Sequence, residues 1–205
     1  MQQKKFERYE ADERKSSLIK STLSCLKSDG YAGLSVRKIT REANVSQGMI
    51  NHHFGSIDAL VIHAYDTISN EFFEQTNALI DSHKGSASEK LTIFFRSYIS
   101  EDNLDPDLMK AWLVFWSLIR NSSDMANTYE YVNDKVETLL NGLLLDISRE
   151  EGLDITDVSL ASQSLIALLD GVWVRTCLSQ KCLPPENTMK IFMKWLDAYK
   201  LGVFS

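Results

Sequence analysis

Apolar residues recur in this chain at three- and four-residue spacing almost throughout, and no stretch alternates with the two-residue rhythm of a strand. The pattern predicts an all-α protein of about nine helices. Residues about 10–29 place Leu18, Ile19, Thr22, Leu23 and Leu26 on one face, with Gly30 as the stop. Ser35 caps a helix carrying Val36, Ile39 and Ala43, Asn44 interrupts it, and Ser46 caps a third short helix that closes near Phe54. Asn44 tolerates the left-handed backbone that a tight helix–helix turn demands. Ser56, with Asp58 in its first turn, opens a longer helix through Leu60, Val61, Ala64, Ile68 and Phe72 to about His83. Further helices are expected at about 87–101, 106–120, 124–150, 157–180 and 185–201. Their punctuation is Asp105-Pro106, Asn121-Ser122-Ser123, Glu151-Gly152 and Pro184-Pro185. A small module, residues 1–55, therefore precedes a larger helical one, residues 56–205.

Charge reinforces that division. The chain carries −6 overall, but residues 1–55 hold ten Lys/Arg against six Asp/Glu, giving +4, and the remainder carries −10. A basic module can meet phosphates and an acidic one cannot. Cys25, Cys177 and Cys182 are odd in number and form no CxxC, as expected of buried thiols in a reducing compartment. The first fifteen residues lack an apolar core of signal-peptide type, and the apolar stretch around Leu165–Val174 is broken by Asp170 and too short for a bilayer. A soluble cytoplasmic protein without membrane contact is expected.

Three helices in about 45 residues, the last two joined by Ala43-Asn44-Val45-Ser46, form a helix-turn-helix pattern. Val36, Ile39 and Ala43 must be buried on the second helix, Val45 plugs the corner, and Ile50 and Phe54 hold the third. Gln47, Gly48, Met49, Asn51 and His52 then point away from that core, as a recognition helix requires. Gln47 and Asn51 both donate and accept, and Gly48 permits close backbone approach. Ser35, Arg37, Lys38, Ser46 and His53 lie where helix ends meet a groove and suit phosphate contacts.

The stretch from Leu34 through Ser35-Val-Arg-Lys-Ile-Thr-Arg-Glu-Ala-Asn-Val-Ser-Gln-Gly-Met-Ile-Asn-His-His-Phe54, followed by Asp58 and Leu60, resembles the TetR family of repressors. Two positions depart from the family pattern. Asn44 replaces the usual Gly, and Ile57 replaces a common phosphate-reaching Lys, so that contact is expected to be missing. Lys110-Ala-Trp-Leu-Val-Phe-Trp116 and Ala167-Leu-Leu-Asp-Gly-Val-Trp-Val-Arg175 are similar to segments of the choline-responsive betaine-synthesis repressors within the family. The resemblance implies a homodimer on palindromic double-stranded operator DNA, released by a small-molecule inducer such as a choline-like cation.

The last two helices fit the dimer expectation, because Leu165, Ile166, Leu168, Leu169, Val172 and Trp173 nearly encircle the first of them. A helix so apolar also suits a monomeric core. Trp112, Phe115 and Trp116 share one helix face, with Tyr98, Tyr129 and Trp173 as further rings and Asp66 and Asp170 as carboxylates for an inducer pocket. Rings plus a carboxylate hold a quaternary ammonium by cation–π attraction, although aromatics at helical spacing equally build core.

Two rival classes frame the reading. An enzyme would need a nucleophile–base pair or a phosphate loop, and the chain has no G-x-S-x-G, G-x-G-x-x-G, Walker A or HExxH motif. Adjacent His52 and His53 diverge by about 100° on a helix and cannot chelate one metal together. No catalytic residue, metal site or cofactor is therefore expected. A helical protein-interaction module without specific DNA binding is the other alternative, and a steep salt dependence of duplex binding separates the two.

Overall fold

The computed structural model describes residues 2–154, 157–179 and 184–204, so Cys182 lies outside the described residues. Among them the chain is all helical: α1 (Gln2–Asp29), a 3-10 turn (Tyr31–Gly33), α2 (Val36–Glu42), α3 (Gly48–Phe54), α4 (Ile57–Ser82), α5 (Ala87–Tyr98), α6 (Pro106–Ile119), α7 (Ser123–Glu151), α8 (Val158–Leu178) and α9 (Pro185–Lys200). Polar residues set most of the starts. Ser35, Ser56, Asp105, Ser122 and Asp157 each accept a hydrogen bond from the backbone N–H three residues on. Ser86 and Glu89 close a reciprocal capping box at the head of α5, and Pro185 supplies a ready-made first turn for α9.

One boundary departs clearly from expectation. α1 begins at Gln2, about two turns before the expected start near residue 10, because Gln, Lys, Glu and Arg favour helix without leaving a hydrophobic period to read.

Two compact units divide the chain. The first comprises residues 1–70 and 110–129, the second residues 71–109 and 130–205. The first holds α1–α3, the start of α4, most of α6 and the start of α7. In the second, α5 and α8 pack against α9. Phe95 and Phe192 meet with ring centroids 4.9 Å apart. The fully buried Tyr199 hydroxyl lies 2.6 Å from Ser148 Oγ and donates to the Leu144 carbonyl at 2.9 Å, so a polar tip is satisfied inside an apolar layer.

Candidate nucleic-acid interface

A small core builds the N-terminal head. Leu18 and Cys25 of α1, Ile39 of α2, Ile50 of α3 and Leu60 of α4 are buried together, with Val36, Val45, Phe54 and Ile57 packed against them. Helix α2 ends in a left-handed turn. Asn44 has φ 53°, its N–H donates to the Arg41 carbonyl, and the Val45 N–H donates to the Thr40 carbonyl at 2.9 Å. These are the paired bonds of a Schellman termination, with Asn in the place usually filled by Gly. Ser17 Oγ donates to the Ala43 carbonyl at 3.2 Å and ties α1 to the same turn. The angle between α2 and α3 is thus fixed by local bonds and by the plug residue Val45.

The Cys25 thiol donates to Glu42 Oε2 at 3.4 Å. Burial, with the neighbouring Glu42 carboxylate, pushes it up to about 11. It stays a thiol at neutral pH, as a structural cysteine should.

Ser35, Arg37, Ser46, Gln47, Gly48, Asn51 and His52 form the exposed edge of α2 and α3. Met49 and Lys38 lie differently from the candidate DNA contacts expected, and Ser46 keeps its place on the edge without its expected cap. Met49 is half-buried and packs against the core; α3 begins at Gly48, and this register turns Met49 inward beside Ile50, so it leaves the expected base-reading edge. Ser46 does not cap α3: Gln47 is the N-cap, without a side-chain cap bond, and Ser46 contributes only its carbonyl, to the Met49 N–H. Lys38 is half-buried and ion-paired with Asp29 at the end of α1.

His53 is half-buried between His52 and Phe54, with ring centroids 4.8 and 6.3 Å away. Burial, then the neighbouring His52, Lys15 and Arg14, lowers its pKa from the ordinary 6.5. The neutral imidazole is therefore favoured there, and it still carries one N–H to donate. Gly48 is not demanded by packing, since a Cβ there would meet nothing within 4 Å. Its small size can matter only on the outer side. Ile57 is half-buried and packs on the core, offering no donor.

Each unit holds aromatic candidates of its own. In the first unit, buried Trp112 and Phe115 meet Tyr65 of α4 at 5.8 and 5.4 Å, and Trp116 lies 6.5 Å from Trp112. Asp66, on the same unit, accepts from Asn70 Nδ2 at 2.8 Å, and Tyr129 is half-buried at the start of α7. In the second unit, Tyr98 and Trp173 lie 4.7 Å apart, and Trp173 Nε1 donates to the Tyr98 carbonyl at 3.3 Å. Phe72 and Phe94 complete that cluster. Asp170 instead faces a surface groove of about 680 Å³ on α8 and α9, beside Gly171, Val174, Arg175 and Ile191. Desolvation by the surrounding atoms raises its carboxyl pKa from the ordinary value. Tyr65, like Phe72 and Phe94, is a ring of these clusters that the sequence candidates did not include. Its signal was its place on the buried stripe Val61, Ala64, Tyr65 of α4.

Comparison with known proteins decides what this architecture belongs to. Residues 18–64 match the N-terminal model of the tetR family of bacterial regulatory proteins, and residues 87–199 match the C-terminal domain of BetI-type transcriptional repressors. The chain belongs to the TetR family. The HTH-type transcriptional regulator BetI of Klebsiella pneumoniae (strain 342) is 30% identical over 180 residues, covering 86% of this chain and 87% of that protein. A crystal structure of a Pseudomonas aeruginosa PAO1 protein, described as a transcriptional regulator, is 37% identical with a TM-score of 0.85, covering 94% of this chain and 93% of that one. A Saccharomonospora viridis protein of the same description, whose crystal structure holds choline, shares the fold at 15% identity with a TM-score of 0.79, covering 91% and 96%.

This TetR-family chain is thus a DNA-binding transcriptional regulator rather than an enzyme. The family match begins at Leu18 and ends at Ala64, which are both buried members of the head and its continuation into α4. Among the described residues no group of His, Cys, Asp and Glu could hold a metal ion, and no helix is long and apolar enough to cross a membrane.

Proposed function

We propose that this regulator reads a palindromic operator as a homodimer, represses there, and is released when a small organic cation binds its C-terminal part. The exposed polar edge of α2 and α3, held from behind by Ile39, Val45, Ile50 and Phe54, carries the proposal. Gln47 and Asn51 are the base-reading side chains, with amides spent on no cap bond of α3. Arg37 supplies charge to phosphate, and Ser35, Ser46, His52 and His53 supply further polar contacts.

A second copy is the partner that the outer face of α8 and α9 fits. Leu160, Val174, Leu178 and Ile191 are exposed there, and Gly171 has open space outward. Asp170 and Arg175, of opposite charge on this one groove, are self-complementary: a two-fold contact brings each residue's surroundings against the other's. Pairing two heads sets half-sites about 34–36 Å apart and doubles the phosphate contacts.

For the inducer, the ring groups around Trp112 and around Trp173 supply cation–π faces, each about 0.5–2 kcal/mol. Helix α4 supports coupling between inducer and DNA, since its residues 57–70 belong to one compact unit and 71–82 to the other. The inducer must bind better to a conformation whose heads are mis-spaced for the operator. Titrating choline into the operator complex tests this. Release at millimolar choline is expected, and persistence of the complex would remove the choline-like cation while leaving the DNA reading intact. Steep salt dependence of operator binding tests the latter.

A further inference from the structure

We propose that Asp29 competes with DNA phosphate for Lys38, holding back one cation of the reading head and so lowering its electrostatic grip on DNA. The inference rests on the reading head being the DNA-binding surface. Asp29 is the last residue of α1, and its carboxylate pairs with the Lys38 ammonium across the 3-10 turn. The same oxygen, Oδ2, accepts from Ser28 Oγ at 2.9 Å, which aims the carboxylate. Space for it comes from Gly33. A Cβ at that position would collide with the Asp29 side chain and come within 3.1 Å of its Cγ.

Nothing in the stability of α1 calls for an acid there. A negative charge at a helix C-terminus faces the negative end of the macrodipole and is disfavoured. Lys38, meanwhile, is anchored at the head of α2, where its N–H donates to the capping Ser35 Oγ at 3.2 Å. Its neighbour Arg37 is exposed and makes no ion pair among the described residues. Of two adjacent cations, one is free for phosphate and the other already faces an anion.

The pair can be exchanged. Its side chains are 29% and 43% exposed, so water screens it and it is a weak bond. A duplex phosphate arriving at the head of α2 competes for the same ammonium, and the Asp29 carboxylate repels it. Asp29 therefore subtracts from phosphate binding without touching a base.

The test is the salt dependence of binding to a palindromic operator duplex and to an unrelated duplex, for the full chain. Asp29→Asn should tighten both complexes at low salt. The loss of affinity between 50 and 200 mM salt should grow by about threefold, corresponding to one further released counterion. The gain should vanish in the Lys38→Ala background. Gly33→Ala, which displaces the Asp29 side chain while keeping both charges, should steepen the slope in the same direction. Arg37→Ala serves as the control on the head itself and should flatten the slope by about one counterion. If Arg37→Ala flattens the slope while neither Asp29→Asn nor Gly33→Ala steepens it, Asp29 merely braces α1 against α2 and the inference falls alone. If the wild type ignores duplex DNA in dilute buffer, the reading head and the inference fall together.

Discussion

The edge of the helix-turn-helix and the outer face of α8 are both exposed, yet they spend their residues in opposite ways. Along α2 and α3 the apolar side chains Val36, Ile39, Val45, Ile50 and Phe54 turn inward, and the outside is Ser35, Arg37, Gln47, Gly48, Asn51 and His52. Along α8, Leu165, Leu169, Val172 and Trp173 are buried, but Leu160, Ala167, Gly171, Val174 and Leu178 remain outside as well. A surface meant for water and phosphate can be polar everywhere, because its partner offers hydrogen bonds and charge. A surface meant for another apolar surface gains only by staying apolar until the partner covers it. The difference is what the proposed function draws on when it gives the first face to nucleic acid and the second to a partner copy.

The contrast can be broken first at the hidden side of the head. Ile39→Ala empties a fully buried position in a small core, and should cost about 2–5 kcal/mol of unfolding free energy. Urea unfolding should show it, with operator binding lost at temperatures where the wild type still binds. An unchanged midpoint would mean that the head is not held from behind.

Val174→Asp on α8 should do the reverse, leaving the protomer folded and weakening self-association about 100-fold, or roughly 3 kcal/mol. Sedimentation would read this as a shift to monomer. A dimer that survives would place the protein-binding face elsewhere. Asn51→Ala should then cost about 1–3 kcal/mol at one base pair and little on unrelated duplexes. A uniform loss across sequences would reassign Asn51 to phosphate.

The smallest effect is expected from pH. Because the folded-state pKa of His53 lies below the ordinary 6.5, the unfolded chain takes up that proton first. Stability is complete above about 6.5 and declines as pH falls from there towards the folded value. Thermal melts of His53→Gln should lack that part of the decline, and an identical decline would assign it to other groups.

Much of this was legible beforehand, because the signals were local. Ser35, Ser56, Asp105 and Asp157 bond within three residues of themselves, so a reader of the sequence sees both partners at once. Asn44 is a further case, since its left-handed turn closes on Arg41 and Thr40. Ser46 shows where such reading fails. The residue type suited a cap, but α3 starts one position on and Gln47 is its N-cap. Met49, expected on the outer edge, packs against the core. The aromatic candidates were gathered on periodicity, which specifies a face and not a neighbour. Only the fold set Tyr65 against Trp112, Tyr98 against Trp173, and Asp170 in a groove with Gly171, Val174, Arg175 and Ile191.

By itself, then, the sequence determined the helices, most of their caps, the left-handed turn and most of the polar edge of the reading head. Each of these rests on bonds spanning no more than about one helical turn. Tertiary structure decided which rings meet, that Lys38 faces Asp29 rather than open solvent, and that α8 keeps an apolar face uncovered. Those outcomes depend on where separate helices come to rest, which is a property of the whole packed unit and is encoded at no single position.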